Sequence, residues 1–308
     1  MITRDFLDGL RRLGPVRLME PMRRHTTWGV GGPADVYFVA RSQEELVRAF
    51  VLARQHHVPV FVLGSGSNVL VGDEGIRGLV IENQAVGMEG PRRENGWLLV
   101  RVQSGTSLAS AARRLSFAGV AGLEWACGIP GTVGGAVVYN AGAYGGCLRD
   151  VLVTARLADA EGRLLEMGPD DLALGYRGSV LTRGLLRDLV VLSVDLRLWE
   201  GDARELKGRV RELDARRKAA QPPGRNAGSV FKNPPEHPAW WLIDQVGLRG
   251  HRIGDAQISE KHANFILNLG KARAADIAAL IELARERVRQ RFGVELELEV
   301  ALVGEGFR

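Results

Sequence analysis

GIPGTVGGAVVYNAGAYG, residues 128–145, is the stretch that decides how this chain reads. Its first part, Gly128-Ile129-Pro130-Gly131-Thr132-Val133-Gly134-Gly135-Ala136, holds five Gly or Pro among nine residues. That composition specifies neither an ordinary helix nor an ordinary strand. Glycines here let a backbone approach a flat ligand closely. Asn140-Ala141-Gly142-Ala143-Tyr144-Gly145 continues the pattern. Long irregular segments are uncommon in compact domains unless they carry function. A ligand-binding loop is therefore favoured over a purely structural one.

Upstream lies a small α/β unit. Ser42 followed by Glu45 has capping-box spacing, and Leu46, Ala49, Phe50 and Ala53 make one apolar face, predicting a helix over 42–55. Val58 to Leu63 reads as a buried strand, and Leu79 to Glu82 as another. Between them stands Gly64-Ser65-Gly66-Ser67-Asn68. Its closely spaced amides, two hydroxyls and one carboxamide suit a pyrophosphate. Val69 occupies the third glycine position of a Rossmann fingerprint, and no GK[ST] follows. By itself the loop fits a phosphate nest and a plain tight turn equally.

Further outward, the polar stretch 84–96, with Gly87, Gly90 and Pro91, reads as a boundary. A strand (97–102), a helix (107–117), two β segments (151–158 and 189–198) and a basic helix (202–218) follow. The last helix, 274–292, places Ile277, Ile281, Ala284 and Val288 on one face and stops at Gly293. A final strand, 294–303, is predicted from the alternation of Val294, Leu296, Leu298, Val300 and Leu302.

Four more segments carry polar chemistry. Tyr176-Arg177-Gly178-Ser179 sets an arginine fork beside an aromatic ring, which suits a carboxylate or phosphate. Asn226 to Pro234 places Ser229 among small residues, without the GxSxG of a hydrolase elbow. Residues 256–265 are dense in donors, as a polar-ligand site or a capped helix start would be. Periodicity alone makes Glu295, Glu297 and Glu299 a solvated face.

The bulk numbers exclude several classes. At 308 residues and 45% hydrophobic, the chain can bury a sizeable core in two or three domains. No apolar run approaches a membrane span, and the charged, amphipathic start (Phe6, Leu7, Leu10, Leu13) is unlike a signal peptide. Neither Cys127 nor Cys147 sits in a CxxC, and no HExxH is present, so neither a disulfide framework nor a metal site is expected. The net charge of +5 comes in scattered pairs, unlike a nucleic-acid footprint, and suits an anionic small molecule.

Taken together, seven segments resemble the bacterial UDP-N-acetylenolpyruvoylglucosamine reductases (UDP-N-acetylmuramate dehydrogenases). They are HTTWGVGGPAD (25–35), LGSGSNVLVGDEGIRGLVI (63–81), GIPGTVGGAVVYNAGAYG (128–145), YRGS (176–179), NAGSVFKNP (226–234), GDAQISEKHANFILN (254–268) and LELEV (296–300). They run in family order and span nearly the whole chain. The short run from Arg177 to Leu198 leaves little room for the tyrosine-bearing insertion of one family type, so the resemblance is to the type lacking it. Ala301 departs from the family, where many members have arginine.

The resemblance implies an α+β protein. Two subdomains of the vanillyl-alcohol-oxidase-like (PCMH-type) FAD-binding fold would occupy 1–84 and 85–201, and an α+β substrate-binding domain 202–308. It implies FAD, held non-covalently, with NADPH as co-substrate and a UDP-sugar enolpyruvate ether as substrate. A cytoplasmic monomer without nucleic-acid or membrane partners is expected. For the flavin the resemblance names Gly64, Ser65, Gly66, Ser67, Asn68, Val69 and Leu70. It also names Cys127, Gly128, Ile129, Pro130, Gly131, Thr132, Gly134, Gly135, Ala136, Asn140, Gly142, Ala143 and Tyr144. Ser229 matches the family's proton donor, and Arg177 and Glu299 the residues that polarise the substrate carboxylate. Tyr176, Arg177, Lys218, Asn233, Lys261 and His262 fall at or near substrate positions. Against this stand a flavin oxidase of the same fold, a non-catalytic nucleotide-sugar binder and a nucleic-acid binder.

Overall fold

A computed structural model describes residues 2–185 and 188–307. The chain divides into two units, each assembled from separate stretches: 1–16, 38–64 and 78–217 in the first, and 17–37, 65–77 and 218–308 in the second.

In the first unit, local signals set the helices. Thr3 caps Arg4–Arg11, which buries Phe6 and Leu10. Ser42 caps Gln43–Gln55 through the Glu45 amide, and the predicted face (Leu46, Ala49, Phe50, Ala53) is buried. Val60–Leu63 runs parallel to Ile76–Asn83, pairing Val60 with Leu79 and Leu63 with Glu82. Only Leu63 of that strand is fully buried, so the expectation of a wholly buried strand is corrected.

An antiparallel sheet follows, in the order Leu164–Met167, Leu152–Ala158, Val190–Glu200, Trp97–Gln103, Met88–Glu94. The polar stretch expected as a boundary thus carries an edge strand. Leu108–Phe117 and Ala203–Ala220 pack on the same core, with Val100, Val102, Leu115, Leu157, Leu198, Val210 and Leu213 buried in it.

In the second unit, Arg252–Ile253, Ala256–Ile258 and Ile266–Asn268 form a small antiparallel sheet. Helix Ala274–Phe292 buries Ile277, Ile281, Ala284 and Val288 and ends at Gly293 in the left-handed conformation, φ 68°. Its first amides are capped from afar: Ala274 and Ala275 donate to the Asp73 carboxylate at 2.8 and 3.0 Å. Trp28 is fully buried among Phe231, Leu242 and Ile281, its indole donating to the Ile266 carbonyl at 2.7 Å.

The predicted strand over 294–303 is shorter. Regular strand covers only Ala301–Val303, which pairs in parallel with Val69–Val71. Residues 296–300 meet a neighbour through an isolated bridge, Leu298 to Phe231, rather than a ladder, and bend at 299–300. Leu296 and Val300 are buried while Leu302 is exposed, so the alternation does not run through.

Candidate active site

The first unit positions the 128–145 stretch, and one expectation is corrected there. Val133–Tyr139 is a helix. Thr132 caps it, accepting from the Gly135 amide at 3.4 Å. Gly134 is buried, and a methyl there would stand 3.1 Å from the Ser104 side chain. Its amide donates to the Ser104 carbonyl at 2.8 Å. Tertiary packing thus overrides the poor helix propensity of two glycines. The helix ends at Asn140, left-handed with φ 43°.

Asn140 ties this helix to the YRGS turn. Its amide donates to the Gly175 carbonyl at 2.9 Å, and its carbonyl oxygen accepts from the Arg149 amide at 2.9 Å. Ser179 Oγ donates to the Val138 carbonyl at 2.7 Å. Gly175 and Gly178 exchange backbone hydrogen bonds, leaving Tyr176 and Arg177 at the tip. Arg177 has φ 51°, a conformation that side-chain-bearing residues seldom adopt. Its guanidinium lies 5.9 Å from the centre of the half-exposed Tyr176 ring.

A second arginine, passed over in the sequence, joins this group. In Arg216-Arg217-Lys218 nothing local says which side chain turns inward. The Lys218 side chain is exposed, and its backbone carbonyl accepts from Lys261 Nζ at 2.6 Å. Arg217 instead packs on Gly128, where an added methyl would meet its Cδ at 2.7 Å. Burial lowers the Arg217 pKa; Tyr144, Cys127 and Asp214 oppose the shift, and the charge of Arg177 adds to it. Beneath, the Arg113 fork grips Asp214 at 2.6 and 2.8 Å and donates to the Cys127 carbonyl at 3.0 Å. Burial, helped by Asp214, pushes the Cys127 thiol up, so it is a poor nucleophile toward a flavin. The Arg217 guanidinium beside Gly128, within electrostatic reach of Arg177, suits an anionic ligand.

The glycines fit a close-approaching ligand. Gly131 has φ 126°, and a methyl on Gly64 would stand 2.6 Å from Thr132 Oγ1. Gly142 and Ala143 pair with Cys147 and Gly146 in a short hairpin that carries Tyr144. Ile129 packs on the core, while Pro130 and Gly135 are exposed and Ala136 is buried.

In the second unit, Gly66 has φ 64° and lies against residues 25–27. Among the described residues, no protein acceptor takes the amides of Ser65, Gly66 or Ser67. Such a turn fits the pyrophosphate of a dinucleotide. Val69 and Leu70, beyond it, are buried strand residues.

Ser229 and Glu299 are brought together in this unit. Residues 230–232 lie between two partners. On one side Asn264 accepts from the Val230 and Phe231 amides at 2.9 Å each and donates to the Phe231 carbonyl at 2.8 Å. On the other, Lys232 donates to the Glu297 carbonyl, and Glu299 donates to the Val230 carbonyl, both at 2.8 Å. Glu299 is half-buried, while Glu295 and Glu297 are exposed. That departs from the uniform solvated face of the periodicity. Asn68 Nδ2 donates to the Glu299 carbonyl at 3.1 Å. Asn233 accepts from the Ala239 amide at 3.0 Å, at the start of helix Ala239–Gln245. His262 Nδ1 accepts from the Asn264 amide at 3.3 Å, and burial lowers the pKa of its ring.

Residues 34–168 match the FAD binding domain, and residues 219–303 match the C-terminal domain of UDP-N-acetylenolpyruvoylglucosamine reductase. A reductase of that name from Rubrobacter xylanophilus is 45% identical over 303 residues, covering 97% of this chain and 99% of the relative. A second, from Symbiobacterium thermophilum, is 44% identical over 96% of this chain and 94% of its own. The crystal structure of the Thermus caldophilus reductase superposes with a TM-score of 0.75 at 39% identity, over 94% of this chain and 98% of that one.

The chain belongs to the UDP-N-acetylenolpyruvoylglucosamine reductase family.

It is thus an FAD-dependent oxidoreductase with the α+β, PCMH-type flavin fold that the resemblance implied. An alkyldihydroxyacetonephosphate synthase, 16% identical with a TM-score of 0.50 over 65% of this chain, shares that fold. The Ala301 amide donates to the Asn68 carbonyl at 3.0 Å, a bond that any side chain there permits. Among the described residues no helix is long and apolar enough to cross a membrane, and no cluster of His, Cys, Asp and Glu could hold a metal ion.

Proposed function

We propose that the chain reduces the enolpyruvyl ether of UDP-N-acetylglucosamine to UDP-N-acetylmuramate, a peptidoglycan precursor, using NADPH. The divisions at 84/85 and 201/202 and a cytoplasmic monomer belong to the same proposal. FAD would be held non-covalently by 64–70 and by the named residues of 127–144. Bound FAD supplies the two-electron carrier between NADPH and substrate.

The observation that carries the proposal is the hydrogen bond from the Glu299 amide to the Val230 carbonyl, which makes Ser229 and Glu299 near neighbours on adjoining segments. When hydride reaches the terminal vinyl carbon, negative charge develops on the carbon beside the carboxylate. Arg177 stabilises that carboxylate with its fork. Glu299, protonated, donates a hydrogen bond to it. Ser229 then gives its proton to the carbon. A hydroxyl is a weak acid, but this carbanion is a strong base. Arg217, Tyr176, Lys218, Asn233, Lys261 and His262 serve the anionic and polar parts of the sugar nucleotide.

The test separates the half-reactions. Reduction by NADPH requires no proton on substrate carbon; reoxidation by the enolpyruvyl ether does. Ser229→Ala is expected to be reduced at near the normal rate and reoxidised slower by at least about 10²–10⁴-fold. Ser229→Cys should keep part of that rate. Stopped-flow absorbance reads both steps, and equal slowing of the two would remove Ser229 as the proton donor.

A further inference from the structure

The HTTWGVGGPAD segment supplies no group to the chemistry above, yet its first residue is held with care. His25 Nε2 lies 2.9 Å from Glu20 Oε1, and His25 Nδ1 lies 2.9 Å from the Tyr37 hydroxyl. Glu20 and Tyr37 are both buried, and Arg17 and Arg24 stand 3.4 and 3.8 Å from Glu20. The hydrogen bond from His25 holds the Glu20 carboxyl below its ordinary range, against the opposing effect of burial, with Arg17 also lowering it. An ionised carboxylate only accepts, so His25 Nε2 carries a proton and donates to Glu20, while Nδ1 shares a hydrogen bond with the Tyr37 hydroxyl. The ring also lies against Tyr37, tilted by 36° with 4.4 Å between centres. With both nitrogens engaged, the imidazole cannot turn.

The backbone of this residue carries the consequence. A methyl on Gly66 would stand 2.0 Å from the His25 carbonyl oxygen and 2.8 Å from Thr26 Cα. Thr27 donates to the Gly66 carbonyl from its amide at 3.0 Å and from its hydroxyl at 3.3 Å. Where His25 stands therefore decides where Gly66 stands, and with it the direction of the Ser65, Gly66 and Ser67 amides. Burying a carboxylate, an imidazole and a phenol merely to fill space is costly compared with apolar packing.

We infer that His25, gripped by Glu20 and Tyr37, is a positioning residue that fixes the 65–67 turn in the shape that receives a dinucleotide pyrophosphate. The inference rests on the assignment of that turn to the FAD pyrophosphate. His25 touches no ligand itself; it acts through Gly66.

The probe is a pair of nucleotides, ADP and AMP, titrated into the full chain stripped of flavin, with excess UDP present to occupy the diphosphate site of the substrate. The wild-type chain should prefer ADP to AMP, because only ADP carries the pyrophosphate. His25→Ala should lower that preference about tenfold while leaving AMP affinity unchanged, the scale expected when donors are displaced by a fraction of an ångström. His25→Gln, which can still donate to Glu20, should restore most of it. Tyr37→Phe should fall between. An unchanged ADP preference in His25→Ala overturns the inference, as does equal loss of ADP and AMP binding, which marks a merely structural residue. Failure of Gln to rescue it also counts against the inference. If the wild-type chain shows no preference for ADP, the pyrophosphate assignment itself fails, whatever His25 does.

Discussion

A methyl added at Gly66 would stand 2.0 Å from the carbonyl oxygen of His25; at Gly135 the nearest atom, Thr132 Oγ1, would be 3.7 Å away. Both glycines belong to segments whose composition reads alike. In the 64–68 turn, glycine is required by backbone that crosses it, in a left-handed conformation at φ 64°. In 128–145, glycines do several jobs. Gly134 packs on Ser104 inside a helix, Gly128 makes room for Arg217, and a side chain on Gly142 would meet Cys147 Cβ at 2.8 Å. Glycine density therefore does not say which glycine is indispensable. Neighbours decide that.

The comparison can be broken most directly at Gly66. Gly66→Ala meets backbone that cannot yield and a disfavoured φ, together costing at least about 1–3 kcal/mol in a tightly packed turn. Most purified chains should then lack the yellow flavin band. Normal flavin content would mean that the turn tolerates a side chain and that the contrast with Gly135 is empty. Next comes Arg177, the charged group that the 128–145 helix helps to place. Arg177→Lys keeps the charge and loses the fork, which should lower turnover by about 10–100-fold, the value of a charge-assisted hydrogen bond. Unchanged turnover, with melting temperature as the control, would return Arg177 to the ordinary surface.

A smaller effect sharpens the picture around Gly128. Arg217→Ala should raise KM for the sugar nucleotide about tenfold by removing a half-buried cation. Lys218→Ala, one residue on and exposed, should change KM less than about twofold. Steady-state kinetics on the two variants decides between the neighbours, and the reverse order would restore Lys218. The smallest effect is at Gly135. Gly135→Ala meets no protein atom closer than 3.7 Å and lies in a helix, so the flavin-free chain should gain up to about 1 kcal/mol of stability, and flavin content should fall far less than in Gly66→Ala. A loss of flavin as large as at Gly66 would show that the two glycines are equally indispensable.

Much of the fold was legible because it is written locally. Ser42 with Glu45, and the apolar face behind them, specify helix Gln43–Gln55 without help from the rest of the chain. The stripe of Ile277, Ile281, Ala284 and Val288 and the stop at Gly293 do the same for Ala274–Phe292. The errors fall where distant partners decide. The alternation over 294–303 falls on a segment that bonds Val230 and Lys232 and bends at 299–300, so regular strand forms only at Ala301–Val303. The glycines at 134 and 135 enter a helix because Ser104 accepts the Gly134 amide across 30 residues of chain.

By itself, the sequence determined the family and the flavin fold, because the order of seven motifs is a property of the chain alone, and it supplied Arg177, Ser229 and Glu299 as the residues proposed for the chemistry. It also determined each helix whose cap and apolar stripe lie within one or two turns of each other. Only the tertiary structure separated Glu299 from Glu295 and Glu297 by burial and bonded its backbone to Val230. Only it turned Arg217 inward and left Lys218 exposed, and locked His25 between Glu20 and Tyr37 against Gly66. The physical reason is the same in each case. Burial and long-range hydrogen bonding depend on which segment arrives from elsewhere in the chain, and local composition carries no record of that arrival.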